Sequence, residues 1–231
     1  PESGVWGPES GVWSSDSDVA RGESPSPLPT AYGLRSPASM KLVLGITGAS
    51  GAPYAARILR FLAGPAREAG VHTDVVFTKT GRLVWQHEVG EDPAAYTLRI
   101  WPPGDMTAPF ASGSARYDAM IVLPCSAGSL GRIAHGLSTD LVSRAADVML
   151  KERKPLVLVL RETPFSLIHL RNMEQVTLAG GIVMPAAPSF YSNPATMDAL
   201  LDTVVARALD RVGIDNALVR RWSGLSAQEI E

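Results

Sequence analysis

A glycine-rich turn that carries a hydroxyl is the first stretch of the sequence with the means to do chemistry. Gly45, Gly48 and Gly51 recur at three-residue spacing, Ser50 stands before the last of them, and Pro53 follows. An apolar run precedes the turn and a helical pattern follows it, so backbone N–H groups and a positive helix end can face an anion. The spacing matches neither the dinucleotide fingerprint nor the P-loop. Two interpretations stay open: a turn that binds a cofactor phosphate or flavin edge, and a plain tight turn.

Charged side chains form a second group of candidates. Arg161 and Glu162 end an apolar run, which is an unusual place for charges without partners. The whole group consists of Arg144, Lys151, Arg161, Glu162, Tyr191 and Arg207. Cations and a tyrosine around one acid suit a phosphate-bearing substrate whose leaving group must be neutralised. Ordinary surface ion pairs at helix ends are the alternative for each residue taken singly.

The cysteine and the histidines give weaker signals. Cys125 follows a proline at the end of an apolar run with no histidine near it in sequence, which favours a buried core residue over a nucleophile. His169 is a catalytic candidate, but a structural hydrogen bond within a helix is the stronger interpretation. The histidine spacings match no metal-binding motif such as HExxH, so the sequence predicts no metal site.

Composition narrows the class of protein. The chain has 231 residues, 45% of them hydrophobic, and a net charge of −2. This charge predicts no general attraction to nucleic acid or to acidic membranes, and no apolar run approaches the ~18 residues of a membrane-spanning helix. A single cysteine excludes an intrachain disulfide, and we expect a cytoplasmic protein.

The first 39 residues differ from the rest of the chain. They are rich in serine, proline and glycine, and the hexapeptide PESGVW occurs at 1–6 and again at 8–13. Such a segment lacks the apolar surface needed to fold alone. We therefore predict a disordered leader or tag at 1–39 and a single domain at 40–231.

Strand and helix patterns alternate from Met40 onward. Predicted strands cover residues 42–46, 71–78, 119–123, 156–160 and 181–184, and a first helix begins at Pro53. Further predicted helices cover 79–88, 139–153, 166–178 and 196–212, whereas 90–116 is predicted to be irregular. Helical connections of this length imply a mainly parallel sheet in a three-layer, Rossmann-like (flavodoxin-like) α/β fold. Ligands bind such sheets at the carboxyl ends of the strands.

From about Met40 to Trp222 the sequence resembles the UbiX family of flavin prenyltransferases. The resemblance rests on motifs in the family's order, at residues 46–54 (ITGASGAPY), 111–114 (ASGS), 123–126 (LPCS), 144–148 (RAADV), 150–158 (LKERKPLVL), 161–165 (RETPF) and 185–191 (PAAPSFY). It implies metal-independent transfer of a dimethylallyl group from dimethylallyl monophosphate to N5 and C6 of reduced FMN. It also implies a UbiD-family decarboxylase as recipient of the prenylated FMN, and a homo-oligomer, in this family a dodecamer.

The resemblance assigns roles to particular residues. Those implied to bind FMN are Gly48, Ala49, Ser50, Thr78, Ser126, Ala127, Gly128, Ser129 and Arg144. Those implied to bind the substrate phosphate, some of them from a neighbouring subunit, are Lys151, Arg161, Tyr191 and Arg207. Ser50 is implied to join a hydrogen-bond relay near N5, and Glu162 to protonate the departing phosphate and help deprotonate the flavin adduct.

One departure and two alternatives accompany this resemblance. Met106 stands where some relatives have tryptophan, which removes an aromatic face from the implied prenyl pocket, and Trp222 either lies by that pocket or anchors the tail. A flavin-dependent cysteine decarboxylase is the first alternative, although its catalytic histidine and Pro-x-Met-Asn segment have no counterpart here. A flavin carrier without chemistry is the second, and a second phosphate site argues against it.

Overall fold

The computed structural model describes residues 39–222 and residue 224, so the predicted leader lies outside the described residues except for Ser39. The strands are β1 (Met40–Ile46), β2 (Val71–Phe77), β3 (Arg99–Trp101), β4 (Ala119–Cys125), β5 (Leu156–Leu160) and β6 (Ile182–Pro185). The helices are α1 (Ala52–Ala63), α2 (Pro65–Glu68), α3 (Lys79–Glu88), α4 (Ala127–Ala134), α5 (Leu141–Lys151), α6 (Leu167–Leu178) and α7 (Met197–Arg211).

The six strands form one parallel sheet in the order β3-β2-β1-β4-β5-β6. Leu44 at the centre of β1 pairs with Val75 of β2 on one side and with Ile121 of β4 on the other. This is the strand order of the Rossmann fold, whose ligands bind where the order reverses, between β1 and β4. The predicted Rossmann-like fold with a mainly parallel sheet is confirmed.

Both faces of the sheet are covered, which explains strands that are apolar throughout. Leu42, Leu44 and Ile46 of β1 face one layer, where they belong to a core shared with α1, α7 and Trp85 of α3. Val43 faces the other layer, where α4, α5 and α6 contribute the buried side chains. The three layers fix the position of every strand end, and the loops there are built on a rigid base.

β3 and α4 are among the elements that the sequence-based prediction did not contain. β3 lies within 90–116, which was predicted to be irregular; it is a three-residue strand at the sheet edge, too short to show a periodic pattern. α4 follows β4 directly, beginning after Ser126, whose hydroxyl accepts a hydrogen bond from the N–H of Ser129. Its small residues gave no amphipathic stripe, so the sequence indicated only a loop there.

A nearly buried ion pair joins α1 to α7. Arg57 donates from Nε and Nη2 to both carboxylate oxygens of Asp202, at 2.9 and 2.6 Å, and from Nη1 to Asp198 at 2.8 Å. The two carboxylates differ in environment, since the side chain of Asp202 is 9% exposed and that of Asp198 is 56% exposed. The forked pair with Asp202 therefore fixes how the two helices lie across the sheet.

We expect Asp202→Ala to lower the free energy of unfolding by about 3 kcal/mol, because it leaves a largely buried guanidinium without its partner. Asp198→Ala is the matched control, and the loss of an exposed pair should cost less than about 1 kcal/mol. Chemical denaturation of both variants measures the difference. An equal loss of unfolding free energy in the two variants would show that the forked ion pair with Asp202 stabilises the protein no more than the exposed pair with Asp198.

Candidate functional site

The carboxyl ends of β1 and β4 are tied together by Thr47. Its hydroxyl donates to the carbonyl of Pro124 at 2.8 Å and accepts from the N–H of Ser126 at 2.8 Å. Its backbone N–H also donates to the Pro124 carbonyl, at 3.2 Å. Thr47 is buried, so these bonds form without competition from water. The two strand ends thus hold a fixed distance at the point where the strand order reverses.

A cavity of about 530 Å³ opens beside this tie, and we call it the switch-point cavity. Its lining residues are Gly48, Thr78, Lys79, Thr80, Pro103, Gly104, Ser126, Ser129, Arg132, Thr139 and Asp140. Two helices begin at its wall, α3 after Thr78 and α4 after Ser126. Helix N-termini, hydroxyl groups and two cations together favour a phosphate ester.

Gly48 in the turn and Gly81 in α3 allow the backbones of β1 and α3 to pack closely. A side chain at Gly48 would place its Cβ 2.4 Å from Cγ2 of Thr80, and one at Gly81 would lie 2.4 Å from the carbonyl oxygen of Ile46. The start of α3 therefore approaches the end of β1 too closely for any side chain. Gly51 has a φ of 125°, a conformation that favours glycine.

The N-terminus of α1 already has an anionic partner, which is Glu88 at the end of α3. Its Oε2 accepts from the N–H groups of Gly51 and Ala52, both at 2.8 Å. These two N–H groups are therefore already paired within the chain, and the predicted binding of a cofactor phosphate or flavin edge by this turn stays a prediction for its other groups. The anion-binding ends that remain open in this region are those of α3 and α4.

The surroundings of Glu88 set its charge. Partial burial pushes the pKa of Glu88 upward, but hydrogen bonds from the Ser50 hydroxyl and from Gly51 and Ala52, with the charge of Arg161, outweigh it. The net result is a pKa below the ordinary value. Glu88 is therefore ionised at neutral pH.

Arg161 connects the end of β5 to the glycine turn. Its Nε donates to the carbonyl of Ser50 at 2.8 Å, and its backbone N–H donates to the carbonyl of Cys125 at 3.0 Å. Glu162 is the next residue, and its half-buried carboxylate accepts from the N–H of Thr163 at 3.0 Å. Ser50, Arg161 and Glu162 therefore lie at one edge of the sheet, as predicted from their positions after strands.

A second cavity, of about 630 Å³, follows β6, and we call it the β6 cavity. Its lining includes Tyr191, Arg207 and Trp222, and the Tyr191 and Trp222 ring centroids are 5.3 Å apart. A cation, a phenol and an indole in one cavity can bind an anion beside an apolar group. Trp222 lines this cavity and packs on Tyr191, and the two roles considered for it, by the prenyl pocket or as an anchor of the tail, both stay predictions.

Two of the predicted ligands, Lys151 for the substrate phosphate and Arg144 for flavin, are not among the described residues that line the two cavities. Lys151 is the last residue of α5, which runs back to the amino edge of the sheet, and it pairs there with Glu152. Arg144, in the first turns of α5, donates to the carbonyl of Ala111 at 3.0 Å and to Asp147 at 2.8 Å. Within one chain both residues make the local contacts of ordinary surface ion pairs.

The remaining candidate residues lie in the glycine turn, in α4, at the end of β4 and in α6. Ala49 lies buried in the glycine turn, and Ala127 and Gly128 form the first turn of α4. Cys125 is fully buried, and burial raises the pKa of its thiol to about 12, as expected for a core residue. His169 accepts from the N–H of Ser166 in the capping box of α6, the structural role that the sequence favoured.

Met106 lies in an exposed turn and lines neither cavity.

Among residues 39–222 and 224, no group of three or more His, Cys, Asp or Glu side chains is placed to hold a metal ion. None of the described helices has the length and apolar composition that crossing a bilayer requires.

Sequence reasoning missed Thr47 and Glu88. Thr47 carried a signal, because a polar residue at the end of an apolar run needs a hydrogen-bond partner. Glu88 carried a subtler one. A carboxylate in the last turn of a helix opposes the helix dipole, which indicates a partner outside that helix.

Comparison with known proteins identifies similar chains. The family model described as Flavoprotein matches residues 33–209. A flavin prenyltransferase UbiX of Methanothermobacter thermautotrophicus is 42% identical over 186 residues, which cover 79% of this chain and 95% of the relative. A flavin prenyltransferase UbiX of Pseudomonas aeruginosa is 41% identical over 199 residues, covering 79% of this chain and 93% of the relative.

Solved structures agree with these similarities. AnUbiX (PadA1), crystallised with FMN and dimethylallyl pyrophosphate, is 41% identical, with a TM-score of 0.77 over 81% of this chain and 100% of its own. A dodecameric FMN-dependent UbiX-like decarboxylase from Escherichia coli O157:H7 has a TM-score of 0.75 and 41% identity over 80% of this chain and 100% of its own. The FMN-dependent cysteine decarboxylase SpaF is 19% identical, with a TM-score of 0.51 over 73% and 99%, and shares the fold alone.

The charge of Glu88 predicts a pH dependence of stability. Since its pKa in the folded state is lowered below the ordinary value of 4.5, its stabilisation is complete above that value and is lost as pH falls through the folded-state pKa. At neutral pH we expect Glu88→Gln to lower the free energy of unfolding by about 1–2 kcal/mol.

Denaturation of wild type and variant across the acid range measures this difference, which should shrink below pH 4.5. Glu68→Gln, at an exposed position, is the control and should show no such trend. A constant gap between wild type and Glu88→Gln at every pH would mean that the ionised carboxylate does not hold the turn.

Proposed function

The chain belongs to the UbiX family of flavin prenyltransferases, and we propose that it joins the dimethylallyl group of dimethylallyl monophosphate to N5 and C6 of reduced FMN. The observation that carries this proposal is the position of Ser50. Its side chain lies beside the Glu88 carboxylate and its carbonyl accepts from Arg161, at the sheet edge that carries the switch-point cavity and the β6 cavity.

The switch-point cavity fits the tail of FMN. Two helix N-termini open into it, and hydroxyl groups of Thr78, Ser126 and Ser129 line it, a set that suits a phosphate monoester. Glu88 excludes the phosphate from the start of α1, so the phosphate is expected beside α3 and α4. Flavin bound this way supplies the nucleophilic nitrogen and carbon that accept the prenyl group.

Ser50 and Glu88 then form a route for a proton. Ionised Glu88 accepts the Ser50 hydroxyl proton, and that hydroxyl in turn accepts a proton from the reacting flavin nitrogen. Arg161 holds the Ser50 carbonyl at 2.8 Å and so fixes the orientation of the turn. The chain thereby supplies a base at the place where bond formation to N5 releases a proton.

The β6 cavity is the proposed place for the allylic phosphate. Arg207 and Tyr191 supply a charge and a hydroxyl for the phosphate, and Trp222 supplies an aromatic face for the dimethylallyl group. Glu162, at the end of the neighbouring strand, is proposed to protonate the phosphate as its bond to carbon breaks. Neighbouring strands lie ~4.8 Å apart, so β1, β5 and β6 place flavin, acid and phosphate in one row.

The chain is proposed to work as a homo-oligomer. Lys151 reaches the amino edge of the sheet, so it joins the phosphate site only from a neighbouring copy, whereas Arg144, in the first turns of α5, is proposed to bind flavin from that helix. Exposed apolar side chains on and before α6, namely Phe165, Leu167, Ile168 and Leu170, offer surface for such contacts. A dodecamer, as in the Escherichia coli relative, is the assembly we propose.

Two wider aspects belong to the same proposal. The prenylated FMN is proposed to pass to a UbiD-family decarboxylase, since the transfer product is itself a cofactor. A cytoplasmic location is proposed because the single cysteine is buried and takes no part in a disulfide.

Anaerobic incubation with reduced FMN and dimethylallyl monophosphate tests the proposal, with the diphosphate assayed in parallel. We expect the released flavin to gain the mass of one dimethylallyl unit, and Glu162→Gln to keep FMN affinity while losing about 100-fold or more in transfer. Mass spectrometry of the flavin measures transfer. Unchanged FMN with folded wild type would contradict the function, whereas full turnover by Glu162→Gln would remove only its role.

Mixed oligomers test the shared site. Lys151→Ala and Glu162→Gln should each be inactive alone, yet co-expression should restore part of the transfer activity, because some sites then combine Lys151 of one copy with Glu162 of another. A mixture of the separately purified variants, without subunit exchange, is the control. If co-expressed oligomers stay as inactive as the single variants, Lys151 does not act across a subunit boundary.

A further inference from the structure

Arg132 is the one arginine among the described residues that line the switch-point cavity. It lies on α4, one turn after Ser129, and its side chain is 34% exposed, so most of it is packed against the cavity wall. The cavity contains the two helix N-termini that the flavin phosphate is proposed to face.

One hydrogen bond orients the guanidinium of Arg132, and other donors of the group remain without a partner among the described residues. Nη2 donates to the hydroxyl of Ser129 at 3.0 Å, and that hydroxyl also accepts from Ser126 at 3.1 Å. Nε is buried and has no hydrogen-bond partner among the described residues. A buried donor without a partner is costly, so a ligand that accepts from the guanidinium would be favoured here.

The charges around Arg132 leave a positive excess. Asp140 is the one acidic residue of the lining within the described part of the chain, and its carboxylate lies 3.9 Å from Nη2, too far for a strong bond. That carboxylate already accepts from the N–H and the hydroxyl of Ser143, at 2.8 and 2.9 Å. Arg132 and Lys79 therefore outnumber the acid, and the N-termini of α3 and α4 add to the positive field.

We propose that Arg132 binds the terminal phosphate of the flavin and is the residue by which this protein selects FMN over riboflavin. A forked guanidinium matches two oxygens of a phosphate monoester, which riboflavin lacks. The inference rests on the proposed function, since it places the flavin tail in the switch-point cavity. It assigns Arg132 to affinity and selectivity, and leaves proton transfer to Ser50 and Glu88.

Titration of the flavin-free full-length protein with oxidised FMN and with riboflavin, followed by flavin fluorescence, tests the inference. We expect Arg132→Gln to weaken FMN binding about 10- to 100-fold, the worth of one charge-assisted hydrogen bond. Riboflavin affinity should be unchanged, because riboflavin makes every contact except those to the phosphate. Arg211→Gln removes the same charge from an exposed position on α7 and should change neither affinity.

The outcomes separate two failures. Wild type that binds no FMN would overturn the proposed function and this inference together. Wild type that prefers FMN, with the same preference in Arg132→Gln, would overturn the role of Arg132 alone. Retained riboflavin binding shows that the variant is folded; if Arg132→Gln does not fold, Arg132→Met keeps the length of the side chain without the charge and is judged by the same ratio.

Discussion

The hydrogen bonds of Thr47 are the interaction on which the rest of the site depends. Pro124 has no N–H to offer β1, so the ladder between β1 and β4 loses a donor just where the two strands end. Thr47 compensates by donating twice to the Pro124 carbonyl and accepting from Ser126. Beyond this tie the chain leaves toward α1 on one face and α4 on the other, and the space between them is the switch-point cavity.

Much of this arrangement could be predicted from the sequence, because strands and helices are recognised from patterns of neighbouring residues. Apolar runs joined by helical segments determine a parallel sheet, and a parallel sheet places Ser50, Thr78, Ser126 and Arg161 at one edge. Glu88 could not be placed in this way. It lies 37 residues from the turn that it caps, and the distance between them is set by how α3 packs on β1.

The helix residues show a different limit. Residues that follow strands share an edge in any copy of this fold, but a helix crosses the full height of the sheet, so two residues on one helix face can serve opposite edges. Arg144 and Lys151 are such a pair. Spacing along the helix indicated that they share a face, but it could not show that Lys151 lies at the amino edge, which is why we propose that it acts on a neighbouring copy.

The carboxylate of Glu88 also bears on what happens when a reaction is complete. A helix N-terminus that is neutralised only by a bound phosphate loses that neutralising charge when the ligand leaves. Here an internal acid holds α1 and its glycine turn whether or not flavin is present. A protein built this way can give its flavin up at every turnover without losing the shape of its binding site, as an enzyme must when the modified flavin is the product it exports.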